Sequence, residues 1–159
     1  MSPKKKNIST NTEKIKFLII VLTSSAVVIF DQIVKFIIVR NIPLGISIPL
    51  VPRMLSLTYI QNTGAGFGLL QGNTRLLIWF SIIVIGIILY FYEAIPENKT
   101  VQFSIALILG GTFGNLIDRI NLGYVIDFFD LSIWPAFNIA DAAITAGAVL
   151  LIIYTINKK

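Results

Sequence analysis

The sequence predicts an all-α membrane protein with four transmembrane helices and a small extracytoplasmic β-rich segment, a cradle, between helices one and two. Three observations carry that expectation. The 159 residues are 55% hydrophobic and 13% charged, with mean hydropathy +0.83, so their apolar surface exceeds what one soluble core of this size can hide. Apolar stretches place helices at about 15–40, 75–92, 101–120 and 137–157, each near the ~20 residues that span hydrocarbon. Between them, outer segments 41–74 and 121–136 carry the turn formers and most of the polar residues. The whole chain, 1–159, reads as one integral membrane domain.

Residues 1–13 are polar and expected to be mobile. The first helix follows them. Its lysine-rich start resembles a signal peptide, but after Asp31 the apolar pattern resumes through Ile33, Val34, Phe36, Ile37 and Ile38, with no small-x-small cleavage site, so a retained helix is expected. Segment 41–74 contains Pro43, Gly45, Pro49 and Pro52, and Leu55, Ser56, Leu57, Thr58 and Tyr59 alternate as a short strand lying on the membrane surface.

Helix two is the shortest, bounded by Arg75 and Glu93, and a turn with Pro96 and Asn98 returns the chain. Helix three contains Gly110, Gly111 and Gly114, a small-residue pattern that lets another helix approach closely. Segment 121–136 places Asp127, Asp130 and Trp134 near the headgroups, and helix four carries the chain back. Lys4, Lys5, Lys6, Lys14 and Lys16 precede the first span, and Lys158 and Lys159 follow the fourth. By the positive-inside rule both termini are cytoplasmic. The net charge of +5 therefore reflects topology, and no nucleic-acid partner is expected.

The chain has no histidine and no cysteine, which excludes Ser-His-Asp and Cys-His sites, the usual zinc ligands and any disulfide. No metal or cofactor is expected, and acid/base work falls to carboxylates. Glu13, Glu93 and Glu97 lie on the cytoplasmic side, whereas Asp31, Asp118, Asp127, Asp130 and Asp141 gather at the outer helix ends. Ionisable groups at a membrane rim cost a few kcal/mol each, so their convergence suggests a polar site.

Asp127 and Asp141 flank a loop that returns to the same face, so their carboxyls can meet. Two carboxyls in one site share a proton, which lets one oxygen activate water while the other protonates a leaving group. A plainer account fits the same residues. Asn138 suits an N-cap with Asp141 three residues on, and Asp127 or Asp130 can be ordinary interfacial carboxylates.

Asp31 and Lys35, four apart, suit an ion pair in the headgroup region or a substrate contact. Arg119, beside Asp118 and one turn after Asn115, suits either a two-point anion contact or snorkelling to the interface. The run from Gly64 to Gly68 is wrongly spaced for a dinucleotide fingerprint and reads as a tight turn bringing Asn62 toward the site.

Five segments in order resemble the lipoprotein signal peptidases, the signal peptidase II family of membrane aspartic proteases. They are Asp31-Gln32-x-x-Lys35; Gln61-Asn62-Thr63-Gly64-Ala65-Gly66-Phe67-Gly68; Gly110-Gly111-x-x-Gly114-Asn115-Leu116-Ile117-Asp118-Arg119; Gly123-Tyr124-Val125-Ile126-Asp127-Phe128; and Phe137-Asn138-Ile139-Ala140-Asp141. The resemblance implies that Asp127 and Asp141 are a catalytic pair, and that Asn62, Gly64, Asn115, Arg119 and Asn138 line or support the substrate site. It assigns Asp31, Lys35 and Asp118 to the polar scaffold.

It further implies a cell-membrane endopeptidase, active as a monomer near the outer face, that cleaves a lipid-modified prolipoprotein just before its diacylglyceryl-cysteine, with membrane lipids as its other partners. Gly66 stands where the family commonly has alanine, and Ala142 where serine is frequent. The competing classes are an ion-coupled carrier, which would place carboxylates nearer the midplane within inverted repeats, and a structural subunit held by its glycines.

Overall fold

A computed structural model describes residues 3–65, 70–131 and 133–158, with side chains from residue 11 onward. Its elements run α1 (Pro3–Asn41), β1 (Ser47–Val51), β2 (Leu55–Asn62), α2 (Thr74–Tyr90), α3 (Lys99–Leu122), β3 (Val125–Leu131), β4 (Trp134–Phe137) and α4 (Ile139–Asn157). A 3-10 turn, Tyr92–Ala94, ends the return from α2.

Helix α1 starts eleven residues before Lys14, so 3–13 are helical where a mobile segment was expected. Extending an existing helix avoids the cost of nucleation. Among the described residues, three helices are long and apolar enough to cross a membrane: Asn11–Asn41, Lys99–Leu122 and Ile139–Asn157. The 17 residues of α2 rise only about 25 Å, somewhat short of a ~30 Å hydrocarbon core. Their outward faces carry large exposed apolar side chains, among them Leu22, Phe30, Trp79, Phe80 and Ile156, a surface suited to lipid.

Helix α3 is the central one, packed by α1, α2 and α4. Its glycines make this possible. A methyl group on Gly110 would lie 2.7 Å from the Ser24 carbonyl oxygen of α1, and one on Gly111 would strike the Ala140 carbonyl of α4. One on Gly114 would lie 2.8 Å from Asp31 Oδ2, so this glycine makes room for a carboxylate as well as a helix. Asn98 caps the start of α3 by accepting from the Val101 N–H, and Gly123, at φ +82°, closes its end in the left-handed conformation.

The four strands form one antiparallel sheet in the order β1-β2-β3-β4. The β-rich part is thus not confined to the segment between α1 and α2. Half of it comes from the segment after α3, where Ile60 pairs with Asp127 and Asn62 with Val125. The expectation missed β3 because its two aspartates look like loop, and its partner strand lies more than sixty residues away. Ile38 of α1 and Ile42 just after it pack with Tyr59, Ile126 and Phe128 beneath the sheet, while Ile20, Ile85, Leu109 and Leu116 form a second apolar cluster among the helices.

Candidate functional site

The site grows from the start of α4. Asn138 caps the helix: its Oδ1 accepts from the Asp141 N–H at 2.9 Å, and Asp141 Oδ2 accepts in return from the Asn138 N–H at 3.3 Å. That capping box is the plain structural role the sequence allowed, and it exists. It leaves Asp141 Oδ1 to accept from Asn115 Nδ2 of α3 at 2.7 Å.

Strand pairing brings Asp127 to the same place. Its Oδ1 accepts from Asn138 Nδ2 at 2.7 Å and its Oδ2 from Asn62 Nδ2 of β2 at 2.8 Å. The side chain is buried, and burial, assisted by the charge of Asp141, pushes its pKa up to about 7 from 3.8 despite the opposing amide hydrogen bonds. Among the described residues, asparagines supply all three side-chain donors to the two carboxyls. Asp130, three residues along β3, instead accepts from Thr58 Oγ1 at 3.1 Å and stands apart from this cluster.

Behind the carboxyls lies a buried ionic cluster. Lys35 Nζ is 2.7 Å from Asp31 Oδ2 and 2.8 Å from Asp118 Oδ2, and donates to Asn115 Oδ1 at 3.1 Å. The expected Asp31-Lys35 pair forms, but inside the protein rather than at the headgroups, because Asp118 and Asn115 complete the ammonium's shell. Asp31 Oδ1 accepts from the Ala140 N–H at 2.9 Å, and Asp118 Oδ2 from the Ile126 N–H at 3.1 Å. Gln32, to which the sequence reading gave no role, donates to Asp118 Oδ1 at 2.8 Å. Its place four residues before Phe36 gave no hint of this, since Asp118 lies 86 residues away.

A cavity of about 240 Å³ opens in front, lined by Asn62, Gly64, Asn115, Arg119 and Asp141 on its polar side and by Val125, Trp134, Phe137 and Ile144 on its apolar side. Arg119 donates to the Gly64 carbonyl at 3.4 Å, and the Gly64 N–H donates to Asn62 Oδ1 at 2.9 Å, which holds the turn after β2. The geometry thus gathers Asp31, Lys35, Asn62, Gly64, Asn115, Asp118, Arg119, Asp127, Asn138 and Asp141 into one connected region. Gly66 lies outside the described residues, and Ala142 is exposed on α4. Among the described residues no group of three or more acidic side chains is arranged to hold a metal ion.

The fold and the site define a helical membrane protein with a largely buried carboxylate pair where a four-stranded sheet meets the helix ends. A family model for signal peptidase (SPase) II matches residues 23–157. Relatives named lipoprotein signal peptidase are 44% identical in Halothermothrix orenii over 80% of this chain and 88% of that protein, and 40% identical in Staphylococcus aureus over 87% and 91%. A solved bacterial membrane enzyme superposes with TM-score 0.82 at 36% identity, covering 87% of each chain. A second covers 88% of this chain and 94% of its own with TM-score 0.79. The chain belongs to the signal peptidase II family, and so to a family of membrane peptidases.

Proposed function

We propose that this chain is an aspartyl endopeptidase that removes the signal peptide from lipid-modified prolipoproteins, cutting before the diacylglyceryl-cysteine. The observation that carries the reading is the two carboxyls, Asp127 and Asp141, tied together through Asn138, with Asp141 lining a half-apolar cavity and Asp127 buried behind it. The pair holds one proton. The ionised carboxylate takes a proton from water as its oxygen attacks the scissile carbonyl, and the protonated partner gives its proton to the carbonyl oxygen. Collapse of the resulting diol breaks the C–N bond and returns a proton to the leaving nitrogen. Burial of Asp127 favours its protonated form near neutral pH, which suits the acid role.

The apolar wall of Trp134, Phe137 and Ile144 suits acyl chains, and each buried methylene is worth ~0.8 kcal/mol, so lipid would fix the depth at which the peptide is cut. The test is a synthetic peptide bearing diacylglyceryl-cysteine beside its unlipidated twin, with the purified protein in detergent. Cleavage of the first alone is expected; equal cleavage of both, or of neither, would count against the reading.

Four membrane crossings, cytoplasmic termini and a site near the outer face of the cell membrane belong to the same proposal. Strands β2 and β3 share one sheet, so α2 and α3 must leave that sheet and return to it, which supports a crossing by α2 despite its length. The chain has no cysteine, so Met54→Cys in the β1–β2 turn and Lys158→Cys give clean labels. An impermeant thiol reagent added to intact cells is expected to reach only the first; labelling of Lys158→Cys would reverse the topology.

A further inference from the structure

We infer that Lys35 is a positioning residue for the carboxylate pair, setting both the spacing of Asp127 and Asp141 and the direction of the amide that meets Asp141. The inference rests on the reading of those two residues as the reacting pair.

An ammonium group has three N–H bonds and no acceptor. Those of Lys35 have three acceptors within reach: Asp31 Oδ2, Asp118 Oδ2 and Asn115 Oδ1. Each of the two carboxylates also holds the main chain one residue before a member of the pair. Asp31 takes the N–H of Ala140, which precedes Asp141, and Asp118 takes that of Ile126, which precedes Asp127. Lys35 therefore bridges the two backbone anchors as their counter-charge, beside Gln32, whose amide donates to Asp118 Oδ1 at 2.8 Å and Asp31 Oδ2 at 3.4 Å. The distance that Lys35 imposes between Asp31 and Asp118 is passed to the pair in front.

The third contact sets polarity. Because Lys35 only donates, the Asn115 oxygen must face it, and the amide nitrogen must then face Asp141. Asn138 is oriented separately, since its oxygen accepts from the Asp141 N–H and its nitrogen is left for Asp127 Oδ1 and Asn115 Oδ1. Without Lys35, Asn115 Oδ1 would keep only that neutral donor, which is shared with Asp127 and the Ile126 carbonyl. A charged donor strengthens and polarises the amide that it holds. Among the described residues the charged groups around the pair are Asp31 and Lys35 from α1 and Asp118 and Arg119 from α3, and of these Lys35 is the cation in contact with both anchors.

Replacing Lys35 alone would leave two buried carboxylates facing each other. Lys35→Met combined with Asp31→Asn keeps the cluster's net charge at −1 and keeps an oxygen for the Ala140 N–H. Lys35→Arg, which keeps the charge but not the geometry, serves as a second variant should the first not fold. Turnover of the lipidated peptide, its pH profile and the thermal midpoint are measured for each beside Asp127→Asn and Asn115→Ala.

The expected result for a folded variant is a kcat lower by about ten- to a hundredfold, a KM close to wild type and a displaced pH profile. The loss should also be smaller when Asn115 is already alanine than in the native background. Wild-type kcat and pH profile in a folded Lys35 variant, or a loss that tracks the thermal midpoint alone and adds fully to Asn115→Ala, would overturn the inference while Asp127→Asn stayed inactive. An active Asp127→Asn would instead remove the pair on which it rests.

Discussion

Asp127 shows how a single residue couples stability to pH. Its carboxyl is buried beside another carboxyl, and its pKa rises to about 7 from 3.8. The folded protein thus binds a proton that the unfolded chain has released over most of that interval. The sign follows: the group's contribution to stability is fully present below about pH 4 and is lost as pH climbs through about 7. Thermal unfolding in detergent should therefore show a larger fall in midpoint between about pH 5 and pH 8.5 for the wild type than for Asp127→Asn. Identical falls in the two proteins would mean that the carboxyl is not held protonated by the fold.

At the scale of elements, the packing of α3 depends on absent side chains. A methyl group at Gly111 would meet the Ala140 carbonyl and lie 2.7 Å from Ile144 Cγ1, so Gly111→Ala must push α4 away from α3, and Asp141 with it. The change should cost ~1–3 kcal/mol and reduce activity, whereas Gly86→Ala, on the open side of α2, should be neutral or stabilising by up to ~1 kcal/mol. Denaturation and turnover of the two variants side by side would check this, and a stable, active Gly111→Ala would contradict the packing account.

The helices themselves were legible because a span of ~20 apolar residues is a local signal. So was the strand at Leu55 to Tyr59, through its alternation. Strands β3 and β4 were not, because Val125–Leu131 carries Asp127 and Asp130, and its identity as strand depends on pairing with β2. The Asp31-Lys35 contact could be read from its spacing of four, but its burial could not, since Asp118 and Asn115 reach Lys35 from about eighty residues away.

In the whole molecule, three long apolar helices and a shorter one hold a small sheet across one end, and that sheet closes over the helix termini where the carboxyls meet. The carboxyl pair and the buried Lys35 cluster both lie at that end, while Lys16 and Gln102 are buried away from it. The absence of histidine and cysteine pointed to carboxylates from composition alone, and the five sequence segments resembling one family named the two that the structure places together.

The most direct measurement of the central claim is turnover of the lipidated peptide by purified Asp127→Asn and Asp141→Asn, each shown to be folded by its thermal midpoint. Both variants should be folded and cleave nothing above background. Substantial turnover by either one would contradict the assignment of the pair.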